Sequence, residues 1–455
     1  MNETLSPLKQ WAQMSPSLCA LKTAHDAYTW EELSGLVMKV SSHLNQQELK
    51  PGDVLTCVGK NSVELLIVYL ACIELGVICA MTMPQTYSEL RKKLDTLYSS
   101  SQPPKIWVST ELEELRSIST IQYGESLLAT NVSAYQSDNL ASIVFTSGST
   151  GSPKAVAHTS KQHLSSASGL LEQFSFKQGD TWLLSLPMYH VSGLAIVYRW
   201  LQSGATMKVG AGSLDEDILG VSHASLVATQ LKRLLEQGVD LSLSHVLLGG
   251  SHVPLELSQK AATKGIETWL GYGMTEAAST VTAKRIDEHY SAGKVLPNRE
   301  LKLEGQRIYI GGETLASGYY YQGELIPLKV DGWFDSKDLG EWVSGELKII
   351  GRADNLFISG GENVHCEEIE SALLQLDAIS LAVVIPIQDS EFGQRPVAVC
   401  DFSRPLSKAE IEAHLATCLT KFKWPIAYYS MPKQLLESGI KVSRQAVKEW
   451  LLEQI

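Results

Sequence analysis

Between residues 141 and 310, short β-rich runs alternate with helical stretches, and this alternation restricts the possible folds more than any other feature of the chain. The β-rich runs read "ASIVFTS", "TWLLSLP", "ATMKVG", "ASLVATQ" and "HVLLGG". Between and after them stand "KQHLSSASGLLEQF", "VSGLAIVYRWLQSG", "LKRLLEQG" and "LELSQKAATKG", with apolar residues at helical spacing. Strand, helix and strand repeated in this way predict βαβ units and a parallel sheet. The first 140 residues have the same texture. "TWEELSGLVMKVSSHL" begins on a Thr with Glu three residues later, a helix-start signature. "PGDVLTCVG" reads as a strand after a turn, "LLIVYLACI" as a buried helix and "GVICAMTM" as a short strand.

The pattern changes after residue 300. "LKLEGQRIYIGGE" and "GELKIIGR" alternate polar and apolar positions around glycine turns, as antiparallel hairpins do. Beyond "GRADN" come a helix ("CEEIESALLQL"), two strands ("SLAVVIPI", "RPVAVCDF"), a helix ("KAEIEAHLATCL") and a final helix ("SRQAVKEWLLEQ"). This is an α+β module of ordinary domain size. A boundary is expected at residues 352–355, dividing a body of residues 1–351 from a module of residues 356–455.

Composition excludes several classes of partner. Apolar residues are 44% of the 455 and charged residues 19%, which suits a large core and not a disordered chain. The net charge of −12 repels nucleic acid and anionic lipid, so neither is an expected partner. A phosphate ligand must therefore be held by a shaped loop and a few local cations. The seven cysteines are irregularly spaced and contain no CxxC, which reads as reduced thiols. The opening "MNETLSPLKQ" lacks the pattern of a secretory leader, and "LLIVYLACI" is too short to span a bilayer. A cytoplasmic protein is expected. Its oligomeric state is left open, homo-oligomer included.

The stretch "VFTSGSTGSPKAVAHT" (144–159) joins a strand to a run of small hydroxyl residues and glycines closed by Pro153-Lys154. Successive backbone N–H groups in such a turn form an anion nest, hydroxyls add donors, and a lysine supplies a point charge for phosphate. A Walker A loop ends in Gly-Lys-Ser/Thr and leads into a helix, so an ordinary P-loop NTPase is disfavoured by Pro153. Composition alone fits a Ser/Gly linker equally well.

The order of motifs separates these readings. "TSGSTGSPK" resembles the phosphate loop of the adenylate-forming superfamily, which includes acyl-CoA synthetases, peptide-synthetase adenylation domains and luciferases. Four further stretches resemble that superfamily's signatures in the expected order: "GYGMTE" (271–276), "WFDSKDLGE" (333–341), "GRADNLFISGGENVHCEEIE" (351–370) and "ESGIKVSR" (437–444). The match spans almost the whole chain. It implies an α/β fold: a large N-terminal domain of parallel and mixed sheets flanked by helices, a small β-subdomain, and a small mobile α+β C-terminal domain acting as a lid.

The resemblance also implies a chemistry. A carboxylate attacks the α-phosphate of ATP, pyrophosphate leaves, and the acyl group passes to a thiol. Cations and oriented donors must offset the repulsion of two anions. By resemblance, Thr146, Ser147, Gly148, Ser149, Thr150, Gly151 and Lys154 embrace the β- and γ-phosphates. Thr275 contacts the α-phosphate, and Glu276 holds Mg²⁺, a hard cation suited to carboxylate and phosphate oxygens. Gly249, Gly250 and Ser251, with Gly271, Tyr272 and Gly273, line the adenine site. Asp338 accepts from the ribose hydroxyls and Arg352 donates to the ribose. Asp354 is the hinge. Lys441 is the main catalytic candidate, reaching the carboxylate and the adenylate oxygens. The pattern usually has Gly directly before this lysine, whereas here Ile440 intervenes after Gly439, with Lys433 the nearby competitor.

The acid is addressed by "SLPMYHVSGLAIVYRW" (185–200). His190 matches the superfamily's gate beside the acyl pocket; taken alone it also fits a satisfied core histidine. Ser192 lies at the same loop–helix junction. Arg199 sits in an apolar helical run, where a buried cation needs a partner. That partner is either a second carboxylate on the substrate or an internal acid, unless the side chain reaches solvent. Among synthetases, the stretches "HASLVATQLKRLL", "VLLGGSHVP", "EFGQRPVAV" and "IKVSRQAVKEW" are most similar to bacterial 2-succinylbenzoate–CoA ligases of menaquinone biosynthesis, whose substrate is a dicarboxylate. ATP, 2-succinylbenzoate and coenzyme A are then the small-molecule partners. A synthetase for a monocarboxylate, a luciferase-like oxygenase and a nucleotide-binding regulator are the competing classes.

Overall fold

The computed structural model describes residues 5–109, 112–126, 134–146, 153–239, 241–249, 253–436 and 442–455. The fold is mixed α/β, with a large N-terminal part and a small C-terminal one. Two large sheets form the N-terminal part. In the nine-stranded sheet the strands Thr206–Lys208, Thr181–Leu183, His223–Leu226, His245–Gly249 and Glu267–Met274 run parallel. Its far edge turns antiparallel, through Ser279–Arg285 and Lys294–Val295.

The seven-stranded sheet carries a parallel core of Val54–Val58, Ile78–Thr82, Ile106–Val108 and Leu140–Thr146. Here the structure corrects the sequence reading in two ways. "ASIVFTS" does not join the parallel strands that follow it in the chain but completes this other sheet. Its neighbour is a strand missed from the sequence, Lys154–Thr159, which runs back antiparallel with Thr146 opposite Lys154. A strand, not a helix, therefore follows the lysine, as the departure from Walker A requires.

Helices fill the space between the sheets. Val63–Leu75 is buried on every side, and Trp30–Gln46, Ser160–Leu171 and Val191–Ser203 share one apolar cluster with residues from both sheets. Strand periodicity divides each sheet's side chains. Leu55, Cys57, Cys79 and Met81 face that cluster, whereas Val54, Val58, Ile78 and Ala80 face a second one under the helix Tyr87–Leu97. The expected cap at Thr29 is present as a reciprocal capping box with Glu32. All seven cysteines are free, five of them buried.

The segment 299–352 is antiparallel, as expected: Arg299–Glu304, Arg307–Gly312, Phe334–Val343 and Glu346–Arg352 form one four-stranded sheet. A one-turn 3₁₀ segment, Ala353–Asn355, leads to a third architecture with its own apolar clusters, drawn from residue 357 onward. "LFISGGENVH", given no element above, is a hairpin of Leu356–Ser359 with Glu362–His365. Gly360 and Gly361 form its two-residue turn with φ of 59° and 87°; positive φ at both positions is what a type I′ hairpin requires. Among the described residues, no helix is long and apolar enough to cross a membrane.

Candidate active site

The parallel strands His245–Gly249 and Glu267–Met274 end side by side, with Gly249 opposite Gly271. Among the described residues, a Cβ at Gly249 would meet nothing nearer than the Gly271 carbonyl oxygen at 3.9 Å. Ligands in open α/β sheets bind at such carboxyl ends. The ladder slips between Tyr272 and Gly273. A Cβ at Gly273 would lie 1.7 Å from the Ser279 carbonyl oxygen, so the bulge admits only glycine.

The bulge sends Tyr272 toward the four-stranded sheet. Its hydroxyl donates to Asp338 Oδ2 at 2.6 Å, and Arg352 Nη1 donates to Asp338 Oδ1 at 3.1 Å. Arg352 also forks onto Asp354, through Nε at 2.9 Å and Nη2 at 3.0 Å. The predicted adenine, ribose and hinge residues thus form one hydrogen-bonded chain. Burial pushes the Asp338 carboxyl up, against the pull of the Tyr272 hydroxyl and Arg352. Burial and then the Asp338 charge push the Tyr272 phenol well up, so it stays a donor. Burial also pushes on Asp354, but the Arg352 fork holds it below the usual carboxylate range.

Directly after the bulge, Thr275–Ala277 makes a 3₁₀ turn that presents Thr275 and Glu276. Ala278 and Ser279 leave it with φ of 50° and 91°, conformations that residues with a Cβ rarely adopt. Tyr319 donates to Glu276 Oε1 at 3.2 Å, and the Lys154 ammonium lies 5.2 Å from the Tyr319 ring centroid. The predicted phosphate cation and metal carboxylate therefore meet on one phenol, which no sequence motif marks. Among the described residues no three His, Cys, Asp or Glu side chains cluster as a metal cage. One carboxylate completed by phosphate oxygens and water is a common way to hold Mg²⁺, and Glu276 fits it.

Pro187–His190 leads into the helix Val191–Ser203, with His190 at its N-cap. A Cβ at Gly193 would fall 2.1 Å from the Pro187 carbonyl oxygen, so the helix start and its loop are in backbone contact. Asn61 pins that loop: its amide donates to the carbonyls of Leu184 (3.1 Å) and Leu186 (2.9 Å) and accepts from the Met188 N–H (2.8 Å). His190 packs beside Tyr189, ring centroids 5.0 Å apart. Ser192 is not adjacent to Arg199. It begins the helix that carries Arg199 two turns later, on the same face.

Arg199 is 2% exposed. Its Nη2 donates to Thr280 Oγ1 at 3.2 Å, its guanidinium lies 5.4 Å from the Trp182 ring centroid, and its Nε has no hydrogen-bond partner among the described residues. No carboxylate pairs with it among the described residues. The other cation is Arg299, whose Nε donates to the carbonyl of the same Thr280 at 2.9 Å. Burial, then the charge of Arg299, pushes Arg199 down to about 9. Of the alternatives for Arg199, the internal acid and the solvated side chain are both absent from the described structure.

The predicted residues Ser147, Gly148, Ser149, Thr150, Gly151, Gly250, Ser251 and Lys441 lie outside the described residues. Of the remaining predicted residues, Tyr272, Asp338, Arg352 and Asp354 are joined by hydrogen bonds, and Lys154 and Glu276 both meet Tyr319. Sequence reasoning missed Asn61, His158, Tyr319 and Arg299. A buried-type polar residue inside an apolar run was the available signal for His158, as it was for Arg199.

Comparison with known proteins agrees with this geometry. The family model described as AMP-binding enzyme matches residues 8–320. A 2-succinylbenzoate–CoA ligase of Haemophilus influenzae is 40% identical over 442 residues, covering 95% of each chain. An arginine-to-lysine variant of Escherichia coli MenE with bound OSB-AMS superposes with a TM-score of 0.89 at 35% identity, covering 100% of both chains. The o-succinylbenzoate coenzyme A synthetase (MenE) of Bacillus subtilis, in complex with ATP and magnesium ion, superposes with a TM-score of 0.81 at 28% identity, over 94% of this chain and 95% of that one.

Proposed function

The chain belongs to the family of AMP-binding enzymes, and on that premise we propose that it is a 2-succinylbenzoate–CoA ligase. It activates 2-succinylbenzoate with ATP and transfers the acyl group to coenzyme A, a step of menaquinone biosynthesis. The observation that carries the choice of acid is Arg199, a buried cation with no acid partner among the described residues. A dicarboxylate supplies the missing charge with the carboxyl that does not react.

In the first half-reaction a substrate carboxylate oxygen bonds to the α-phosphorus of ATP and the bond to pyrophosphate breaks. Mg²⁺, when bound, neutralises phosphate charge, and Glu276 is the residue that would hold it. Lys154 and the loop before it hold the β- and γ-phosphates, and Thr275 orients the α-phosphate. Tyr272 lies against the adenine and Asp338 accepts from the ribose. The Lys441 ammonium approaches the reacting oxygens from the terminal segment. In the second half-reaction the thiol sulfur of coenzyme A bonds to the acyl carbonyl, AMP leaves, and the thiol proton passes to solvent. We assign residues 1–351 to the adenylation body, 352–355 to a hinge around Asp354, and 356–455 to a lid that swings between the two half-reactions. The reaction is placed in the cytoplasm.

Mass spectrometry tests the proposal directly. Purified protein with ATP, Mg²⁺, coenzyme A and 2-succinylbenzoate should yield 2-succinylbenzoyl-CoA and AMP. No thioester from this acid, with thioester from a monocarboxylic aryl or acyl acid, would overturn the assignment.

A further inference from the structure

The turn that presents Thr275 and Glu276 is strained where it ends, at Ala278 and Ser279. It is held from outside at three carbonyls. The Ala316 N–H donates to Glu276 O at 2.9 Å, the Ser166 hydroxyl donates to Ala278 O at 2.5 Å, and His158 Nε2 lies 2.8 Å from Thr275 O. Strained backbone persists only where its surroundings over-determine it. Of the three, only His158 acts on the residue that faces the α-phosphate.

His158 is fully buried on the strand that starts at Lys154. Burial pushes it down to about 4, so the ring is neutral at physiological pH. A carbonyl accepts only, so the single ring hydrogen must sit on Nε2, and Nδ1 is left buried without a partner. The ring is seated against His163, centroids 4.7 Å apart. His163 in turn bonds to Ser142 Oγ at 2.8 Å and stacks on Tyr198, the residue before Arg199. A histidine that served only as core filling would not need its one hydrogen aimed at the backbone of the phosphate-facing turn.

We propose that His158 is a positioning residue for adenylation: its Nε2–H fixes the Thr275 carbonyl and through it the placement of Thr275 and Glu276 toward the phosphates and Mg²⁺. The inference rests on the functional reading above. It also separates the half-reactions, because thioester formation from a ready-made adenylate does not require Mg²⁺ held at Glu276.

The test compares His158→Met, which fills the space without a donor, with His158→Gln, which can restore an N–H. Three quantities are read: Mg²⁺·ATP affinity by calorimetry, ATP–pyrophosphate exchange with 2-succinylbenzoate, and thioester formation from synthetic acyl adenylate plus coenzyme A. Losing an outer-shell support typically lowers metal affinity or activity on the order of 10- to 100-fold. His158→Met should lose that much in Mg²⁺·ATP affinity and exchange, with KM for the acid and thioester formation at wild-type values. His158→Gln should recover most of the loss. Equal losses in both half-reactions, unchanged Mg²⁺·ATP affinity in His158→Met, or no recovery in His158→Gln would overturn the inference. If His158→Met does not fold, His158→Asn, whose amide is too short to reach, takes its place under the same criteria. If the wild type shows no exchange with 2-succinylbenzoate, the functional reading fails, and calorimetry, which needs no acid, still decides the role of His158.

Discussion

Tyr272 donates its hydroxyl hydrogen to Asp338 across 2.6 Å, joining the bulged strand of the nine-stranded sheet to the four-stranded sheet. A ribose that donates to Asp338 takes up the same acceptor. The phenol therefore supports the carboxylate while the site is empty and is partly relieved when nucleotide binds. A hydrogen bond to a charged group contributes about 1.5–3 kcal/mol. Tyr272→Phe should lower the stability of the free protein by that order and of the AMP-saturated protein by less. Urea unfolding with and without AMP checks this, and equal losses in the two states would refute it.

Arg199 has two separable effects. It is buried with no acid partner among the described residues, so it opposes folding, and in the proposed function it reads a second carboxylate. Arg199→Met should leave the free protein as stable as wild type or more so, because replacing buried charge with apolar volume is often neutral or stabilising. The same change should lower kcat/KM for 2-succinylbenzoate roughly 10- to 100-fold, the equivalent of one charge-assisted hydrogen bond. Turnover of a comparable acid lacking the second carboxyl should not fall. A uniform loss for both acids would show that Arg199 serves the fold and not selectivity.

Two glycines of the nucleotide site should fail in opposite ways. Gly249→Ala adds a methyl group 3.9 Å from its nearest neighbour among the described residues, so the protein should fold normally and bind ATP more weakly. Gly273→Ala drives a methyl group into the Ser279 carbonyl, and overpacking of this kind destabilises by about 1–3 kcal/mol. Melting temperature and ATP affinity measured on both variants should show the two effects in different proteins.

Asn61 connects the strand-end loop of one sheet to the loop that carries His190. Asn61→Ala removes three hydrogen bonds at once and leaves two carbonyls and an N–H to find water. A loss of about 1–3 kcal/mol is expected for a buried group left unpaired. KM for the acid should rise while Mg²⁺·ATP affinity stays at the wild-type value. Asn61→Asp, which keeps the acceptor for Met188 and loses both donations, should fall between.

Stability should drop as pH falls from about 6.5 toward about 4. Burial pushes His158 and His223 down to about 4 and His163 well below its ordinary value. All three are neutral when folded and protonate in the unfolded chain near pH 6.5, so the unfolded state binds more protons in that window. The contribution is fully present above pH 6.5. Each histidine accounts for about 1.4 kcal/mol per pH unit at most. Asp338 and Glu370, pushed up by burial, take up protons in the folded state and soften the slope at its acid end. Denaturation midpoints between pH 4.5 and 7 give the slope, and His163→Gln should reduce it by about one proton.

What was legible in the sequence was local. Thr29 and Glu32 announce their capping box because both partners lie in one helical turn. The hairpin around Gly360-Gly361 is not legible because "LFIS" and "ENVH" are short and half polar. Motif order placed Asp338, Tyr272 and Glu276 in one site. Sheet membership was not legible: whether "ASIVFTS" pairs forward or with Ile78–Thr82 depends on contacts sixty residues apart. Asn61 and Tyr319 were invisible for the same reason. Each acts on a segment more than forty residues away, and nothing in its own neighbourhood records the partner. For His158 the apolar run marks burial but not the partner, which lies at Thr275.

Arg199 and Arg299 hold two positive charges on opposite atoms of Thr280, with no acid of the described chain beside either. If the proposed dicarboxylate sets its second carboxyl against this pair, it is also a counter-ion for the interior. Substrate supply would then set more than the rate of turnover: it would govern how much of the protein survives heat, denaturant or proteolysis.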